Sequence, residues 1–108
     1  MNESDFNQRA DALLLAIEQV LDDSGVEVDY ETVGGVLTIH FTNKTVIVIN
    51  RQLPLRQIWV AAKAGGFHFS YSAEEENWFN TQNEESLYSS LSRWCSDQAG
   101  EIINFSQN

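Results

Sequence analysis

Between positions 22 and 31 the chain reads DDSGVEVDYE, which places Asp22, Asp23, Glu27, Asp29 and Glu31 close together with no basic residue among them. Carboxylate oxygens are hard donors, suited to Mg²⁺, Ca²⁺, Mn²⁺ and ferrous or ferric iron. Exposed and on flexible side chains, they make a weak site open to several competing cations rather than a closed cage. The same oxygens attract a basic protein patch at long range. A charge run is ordinarily just a solvated face that keeps a domain soluble, so the placement of these groups decides between the readings.

The element before the run is a helix. Phe6, Ala10, Leu13, Leu14, Ile17, Val20 and Leu21 recur at spacings of three and four and form one apolar stripe. Ser4 is the expected N-cap, and Gly25 stands just beyond the end, where a C-terminal glycine belongs. On a helical wheel Asp11, Glu18 and Asp22 fall within ~40° of one another, beside the apolar stripe. Asp22 and Asp23 sit at the helix C-terminus, where the macrodipole disfavours each anion by ~0.3–1 kcal/mol. The like-charged pair Glu18/Asp22 costs a few tenths more. Lysine or arginine would serve the fold better, so the arrangement points to a use outside folding.

The strand that follows alternates. Val26, Val28 and Tyr30 share one face and Glu27, Asp29 and Glu31 the other. If it runs beside the first helix at a sheet edge, the two acidic sets join into a ridge. Gly34-Gly35 is turn chemistry, VLTIHF is the next strand, and Asn43-Lys44 predicts a tight turn into TVIVIN. RQIWVAAK and GFHFSY are further strands with Gly65-Gly66 expected between them, Pro54 lies in the connection before, and a short strand falls around Trp78. A second helix carries Leu87, Leu91, Trp94 and Cys95 on its buried stripe and ends at Gly100. Thr81 with Glu84 has the form of a capping box there, with Asn83 as rival cap. EIINF closes the chain as an extended segment packed back on the body. The expected fold is α+β: one domain over residues 1–108, a two-layer α/β sandwich. Its N- and C-terminal helices pack on one face of an antiparallel sheet of five to seven strands.

That leaves a bare sheet face. Burying Ile47, Ile49, Ile58 and Val60 turns Val46, Val48, Asn50 and Trp59 outward. A tryptophan flanked by the amides of Asn50, Gln52 and Gln57, with small Ala61 beside it, has the composition of a protein-binding hot spot. His40 and His68 read as surface-facing strand residues rather than metal ligands. Cys95 reads as core, as do Trp78 and Trp94. Leu15 is an apolar residue among polar ones, near Glu18 and Asp22.

Composition excludes several classes. Sixteen acidic against six basic residues give a net charge of -10, which repels nucleic acid and anionic membranes. The single cysteine rules out an internal disulfide or a multi-cysteine metal site. The acidic N-terminus lacks the pattern of a secretory or transit signal, and no run approaches the ~20 apolar residues of a membrane span. These features fit a reducing cytoplasm. No nucleophile–base pair or phosphate loop is present, so an enzyme is not expected; metal-borne oxidation of ferrous iron is the secondary alternative.

Residues 49–69, INRQLPLRQIWVAAKAGGFHF, carry a further signal. The run Asn50-Arg51-Gln52, then Pro54, Gln57-Ile58-Trp59, Gly65-Gly66 and His68-Phe69 resembles the frataxin signature. With GGVLTI at 34–39 and LDDS at 21–24 it is similar to the bacterial branch of that family, the CyaY proteins. The resemblance implies helices packed on one face of an antiparallel sheet and weak iron binding by surface carboxylates. By position those are Glu18, Asp22, Asp23, Glu27, Asp29 and Glu31. It also implies modulation of iron–sulfur cluster assembly through contact with the cysteine desulfurase and its scaffold protein, with Asn50, Gln52 and Trp59 on the contact face. Gln57 and His68 accompany these, and Asp11, Glu18, Asp22 and Asp23 are the electrostatic part of the same docking surface. The implied protein is a monomer that iron can drive into oligomers, with no nucleic-acid or membrane partner. An iron chaperone or ferroxidase that stores or delivers iron is the alternative. Gln19 and Ser24 are neutral where further acid is expected, which lowers iron capacity more than partner binding.

Overall fold

The apolar stripe of the first segment folds as α1, Glu3–Asp23, with Phe6, Ala10, Leu13, Leu14, Ile17 and Leu21 buried. Its N-cap is Asn2 rather than Ser4: the Asn2 side chain accepts the Asp5 N–H at 2.8 Å. The helix therefore begins earlier and takes Ser4 into its first turn. Gly25, at φ +72°, ends it in the left-handed conformation that glycine reaches without strain. The computed structural model describes residues 1–106; Gln107 and Asn108, at the end of the expected 1–108 domain, lie outside the described residues.

The sheet has six strands: β1 (Val28–Val33), β2 (Val36–Phe41), β3 (Val46–Gln52), β4 (Gln57–Ala62), β5 (Gly65–Ser72) and β6 (Asn77–Asn80). They are antiparallel and ordered as in the chain, so β1 and β6 are the two edges. The second helix, α2, spans Leu87–Ala99. Both helices cover one face, as the α+β reading requires. Leu37, Ile39, Ile47, Ile49, Ile58, Val60 and Phe69 point into that layer and are at most 1 % exposed. Each such side chain contributes ~1.5–3 kcal/mol on burial. Trp78 and Trp94 join this core.

Three turns differ from expectation. The β2–β3 connection is longer than Asn43-Lys44, because Phe41 N–H bonds to Thr45 O and Lys44 takes φ +75°. The Asn43 side chain stabilises this wider loop by accepting from the Thr45 N–H and hydroxyl. Between β4 and β5 the turn is Lys63-Ala64, and the glycines belong to β5, with Gly65 opposite Ala62 and Gly66 opposite Ala61. The cap of α2 is Ser86, which accepts the Ser89 N–H, rather than Thr81 or Asn83. The helix cannot start earlier: Asn80 Oδ1 accepts the Gln82 and Asn83 N–H groups, and Glu84 sits at φ +61°. The final segment is extended, as expected. Ser92 and Ser96 on α2 hydrogen-bond the backbone of Phe105 and Ile103, and both of those side chains are buried.

Candidate functional site

The acidic residues gather around the bare edge strand β1. Even-numbered positions of β1 face the helix layer. There the Tyr30 hydroxyl donates to Asp22 Oδ1 at 2.8 Å, and the Thr32 hydroxyl donates to Glu18. The bond to Asp22 is the main reason the Tyr30 hydroxyl holds its proton above the usual range. Odd positions face the other side of the sheet. Asp29 stands opposite His40 and Glu31 opposite Thr38, and Glu31 Oε1 lies 3.2 Å from His40 Nε2. The expected edge placement holds, yet the pleat turns Asp29 and Glu31 away from α1. The ridge is thus two rows wrapped around one edge, Glu18/Asp22 on the helix side and Asp29/Glu31 on the sheet face. Asp23 and Glu27 flank the connection between them and are exposed.

The rows meet no lysine or arginine among the described residues. Asp11 is tied to Arg51 at 2.7 Å, and Arg51 also bonds Asn7. Arg93 of α2 pairs with Glu85 in the loop before it, a contact that holds the Glu85 carboxyl down to about 2, helped by Ser90 and Ser89. Among the described residues Glu18, Asp22, Asp23, Glu27 and Asp29 have no salt bridge. Nor does any group of three or more His, Cys, Asp or Glu side chains among the described residues converge to hold a metal ion. The donor set therefore suits weak, hydrated, exchangeable cations rather than a tightly held cofactor.

The outer sheet face carries the second set. Asn50, Trp59 and His68 align across β3, β4 and β5 in one register row. The Trp59 ring faces outward as expected and is half-buried there: His68 stacks on it at 4.2 Å with an interplanar angle of 7°. Its indole N–H donates to Gln57 Oε1 at 2.9 Å, so Gln57 positions the ring. Gln52 pairs with Gln57 at the end of the same face. Beside the stack, Val48, Ala61 and Gly66 floor a shallow, mostly apolar dent of about 190 Å³. Alanine at 61 and glycine, with no side chain, at 66 make that dent. Leu15 is 64 % exposed on α1, one turn from Glu18.

Three positions that build the site escaped the sequence reading. Tyr30 and Thr32 hold the α1 carboxylates, and Arg51 withdraws Asp11 from the free row. The signal was the strand period: it puts Arg51 on the same side as Ile47 and Ile49, where a cation needs an anionic partner. Cys95 is buried and its thiol is pushed up to about 12 by burial, so it supplies no thiolate.

Residues 1–101 match the model of the frataxin-like domain. The chain belongs to the frataxin family. Within that family it is 42 % identical over 106 residues to the iron–sulfur cluster assembly protein CyaY of Photobacterium profundum, covering 98 % of this chain and 99 % of that one. The frataxin structure from Psychromonas ingrahamii superposes with a TM-score of 0.92 at 36 % identity, over 99 % of this chain and all of that one. A trimeric frataxin from the yeast Saccharomyces cerevisiae, complexed with ferrous iron, shares the fold at a TM-score of 0.67 and 24 % identity, over 94 % of this chain and 88 % of that one. Among the described residues of this frataxin no helix is long and apolar enough to cross a membrane.

Proposed function

We propose that this chain modulates iron–sulfur cluster assembly, binding iron weakly as cargo or signal and docking on the cysteine desulfurase and its scaffold protein. The observation that carries the reading is the pair of carboxylate rows flanking β1, which meet no lysine or arginine among the described residues, on a chain of net charge -10. Membership of the frataxin family and the likeness to a relative named for iron–sulfur cluster assembly support it. Glu18, Asp22, Asp23, Glu27, Asp29 and Glu31 offer oxygen donors to ferrous or ferric iron, and other divalent cations compete for them. The same rows steer a basic patch of the desulfurase into contact. Trp59, stiffened by Gln57 and His68, presents a preorganised anchor beside an apolar dent, with Asn50 and Gln52 as polar neighbours. Because iron and the basic patch use the same oxygens, bound iron changes the charge the partner meets, and assembly responds to iron supply. The chain performs no covalent chemistry of its own.

The test separates the two surfaces. Asp22→Lys with Asp23→Lys should weaken both ferrous iron binding and desulfurase binding in anaerobic calorimetry. Trp59→Ala should leave iron binding unchanged and lower desulfurase affinity at least tenfold, the cost of losing a central aromatic anchor. Wild-type desulfurase affinity in Trp59→Ala together with lost iron binding in the charge variant would favour an iron chaperone or ferroxidase instead.

A further inference from the structure

The two edges of the sheet are not alike. On β6, Phe79 bridges to Ser86, and the Asn80 N–H bonds to Glu85 O, so the 81–86 loop folds back over that edge. β1 has no such cover among the described residues: it is an end strand, and its residues from Glu31 to Val33 are all exposed. Its hairpin fixes which backbone groups are free. Gly34 and Gly35 have φ of +60° and +78°, a two-residue turn with both central residues left-handed, closed by the pair Val33–Val36. In such a hairpin the closing pair exchanges both hydrogen bonds, and bonded pairs alternate from there. Val33, Glu31 and Asp29 therefore point their N–H and C=O groups at β2. Val28, Tyr30 and Thr32 point theirs outward, where water is the partner.

The side chains around this edge select what pairs with it. An added strand would alternate its side chains between the helix side and the sheet face. On the helix side they would meet Glu18 and Asp22, fixed at the edge by Thr32 and Tyr30. On the sheet face they would meet Asp29 and Glu31. Both sides are anionic, so successive residues of the incoming segment, not alternate ones, have to be basic. A second copy of this chain would set like charges opposite one another, which is destabilising across a strand pair.

The geometry points to β1 as a docking edge on which an extended segment of a partner protein, with consecutive lysines or arginines, pairs as a seventh strand. The inference rests on the carboxylate rows attracting a basic partner and adds that the backbone of β1 takes part. The probe is a capped peptide of alternating lysine and arginine, added to the ¹⁵N-labelled chain at low salt. The Val28, Tyr30 and Thr32 amides should gain hydrogen-exchange protection, while Asp29, Glu31 and Val33, already bonded to β2, change little. Thr32→Pro removes one outward N–H at an edge position that tolerates proline, and should weaken peptide binding about three- to tenfold. Thr32→Val loses the same hydroxyl bond to Glu18 but keeps the N–H, so it is the reference against which that loss is read. Shifts at Glu18 to Glu31 without the alternating protection, or equal affinity in the proline and valine variants, would overturn the strand pairing and leave the electrostatic reading standing. A spectrum unmoved by the peptide would refute both.

Discussion

Replacing Asp23 by lysine should stabilise the fold while damaging its contacts. Asp23 is the last residue of α1, whose final turn holds no basic side chain, and it is exposed with no salt bridge. An anion there costs ~0.3–1 kcal/mol against the helix dipole, and a cation gains a similar amount. The exchange spans ~0.6–2 kcal/mol, and exposure places it near the lower half, about 1 kcal/mol. For a domain of this size that is a rise in Tm of about 4–8 °C. Asp22→Asn should gain less, because Asp22 accepts the Tyr30 hydroxyl at 2.8 Å and the amide is a weaker acceptor. Thermal melts followed by circular dichroism, at low salt and in ~1 M salt where the screening length falls to ~3 Å, measure both effects. The gain at Asp23 should shrink with salt. An unchanged or lowered Tm at low salt, or a gain that grows with salt, would refute the claim that this residue is kept against the interest of the fold.

Two further outcomes follow from contacts away from the ridge. Glu85 has its carboxyl depressed to about 2 by Arg93, so the contact stabilises the fold above the unfolded carboxyl range. It is lost as pH falls from about 4.5 through 2. Glu85→Gln should cost about 1–2 kcal/mol in urea at pH 7 and almost nothing near pH 2, a modest figure because Arg93 is half exposed. Gln98, 5 % exposed, accepts the Lys63 N–H and donates to Thr45 Oγ1 and Val46 O, tying α2 to two turns. Gln98→Leu should therefore cost ~2–3 kcal/mol in the same assay.

Periodic segments were the legible part of the sequence. The stripe of α1, the alternation in β2 to β4 and the stripe of α2 bury most of the residues their spacing selects, because one face of every element has a single core to meet, whereas Val20 and the inward face of edge strand β1 are only half-buried. The start of α2 was not legible, since the Asn80 side chain captures the N–H groups that a Thr81 cap would have claimed. The β4–β5 turn misled because Gly65-Gly66 has turn chemistry, but both glycines belong to β5, where Gly65 takes φ +139° opposite Ala62 and Gly66 leaves the outer sheet face clear opposite Ala61. In the candidate site the acidic residues were legible by type and their split into two rows was not. Their division depends on which side of β1 faces α1. Trp59 was placed on the correct face by alternation, whereas its cover by His68 comes from cross-strand register, which no single strand encodes.

An anaerobic amide NMR titration of the labelled chain with purified cysteine desulfurase, with and without ferrous iron, tests the central claim most directly. The account predicts that resonances from residues 18–31 and those around Trp59 and His68 broaden together, and that iron alters the first group. A spectrum unmoved by the desulfurase, while iron alone bleaches the carboxylate rows, would contradict it.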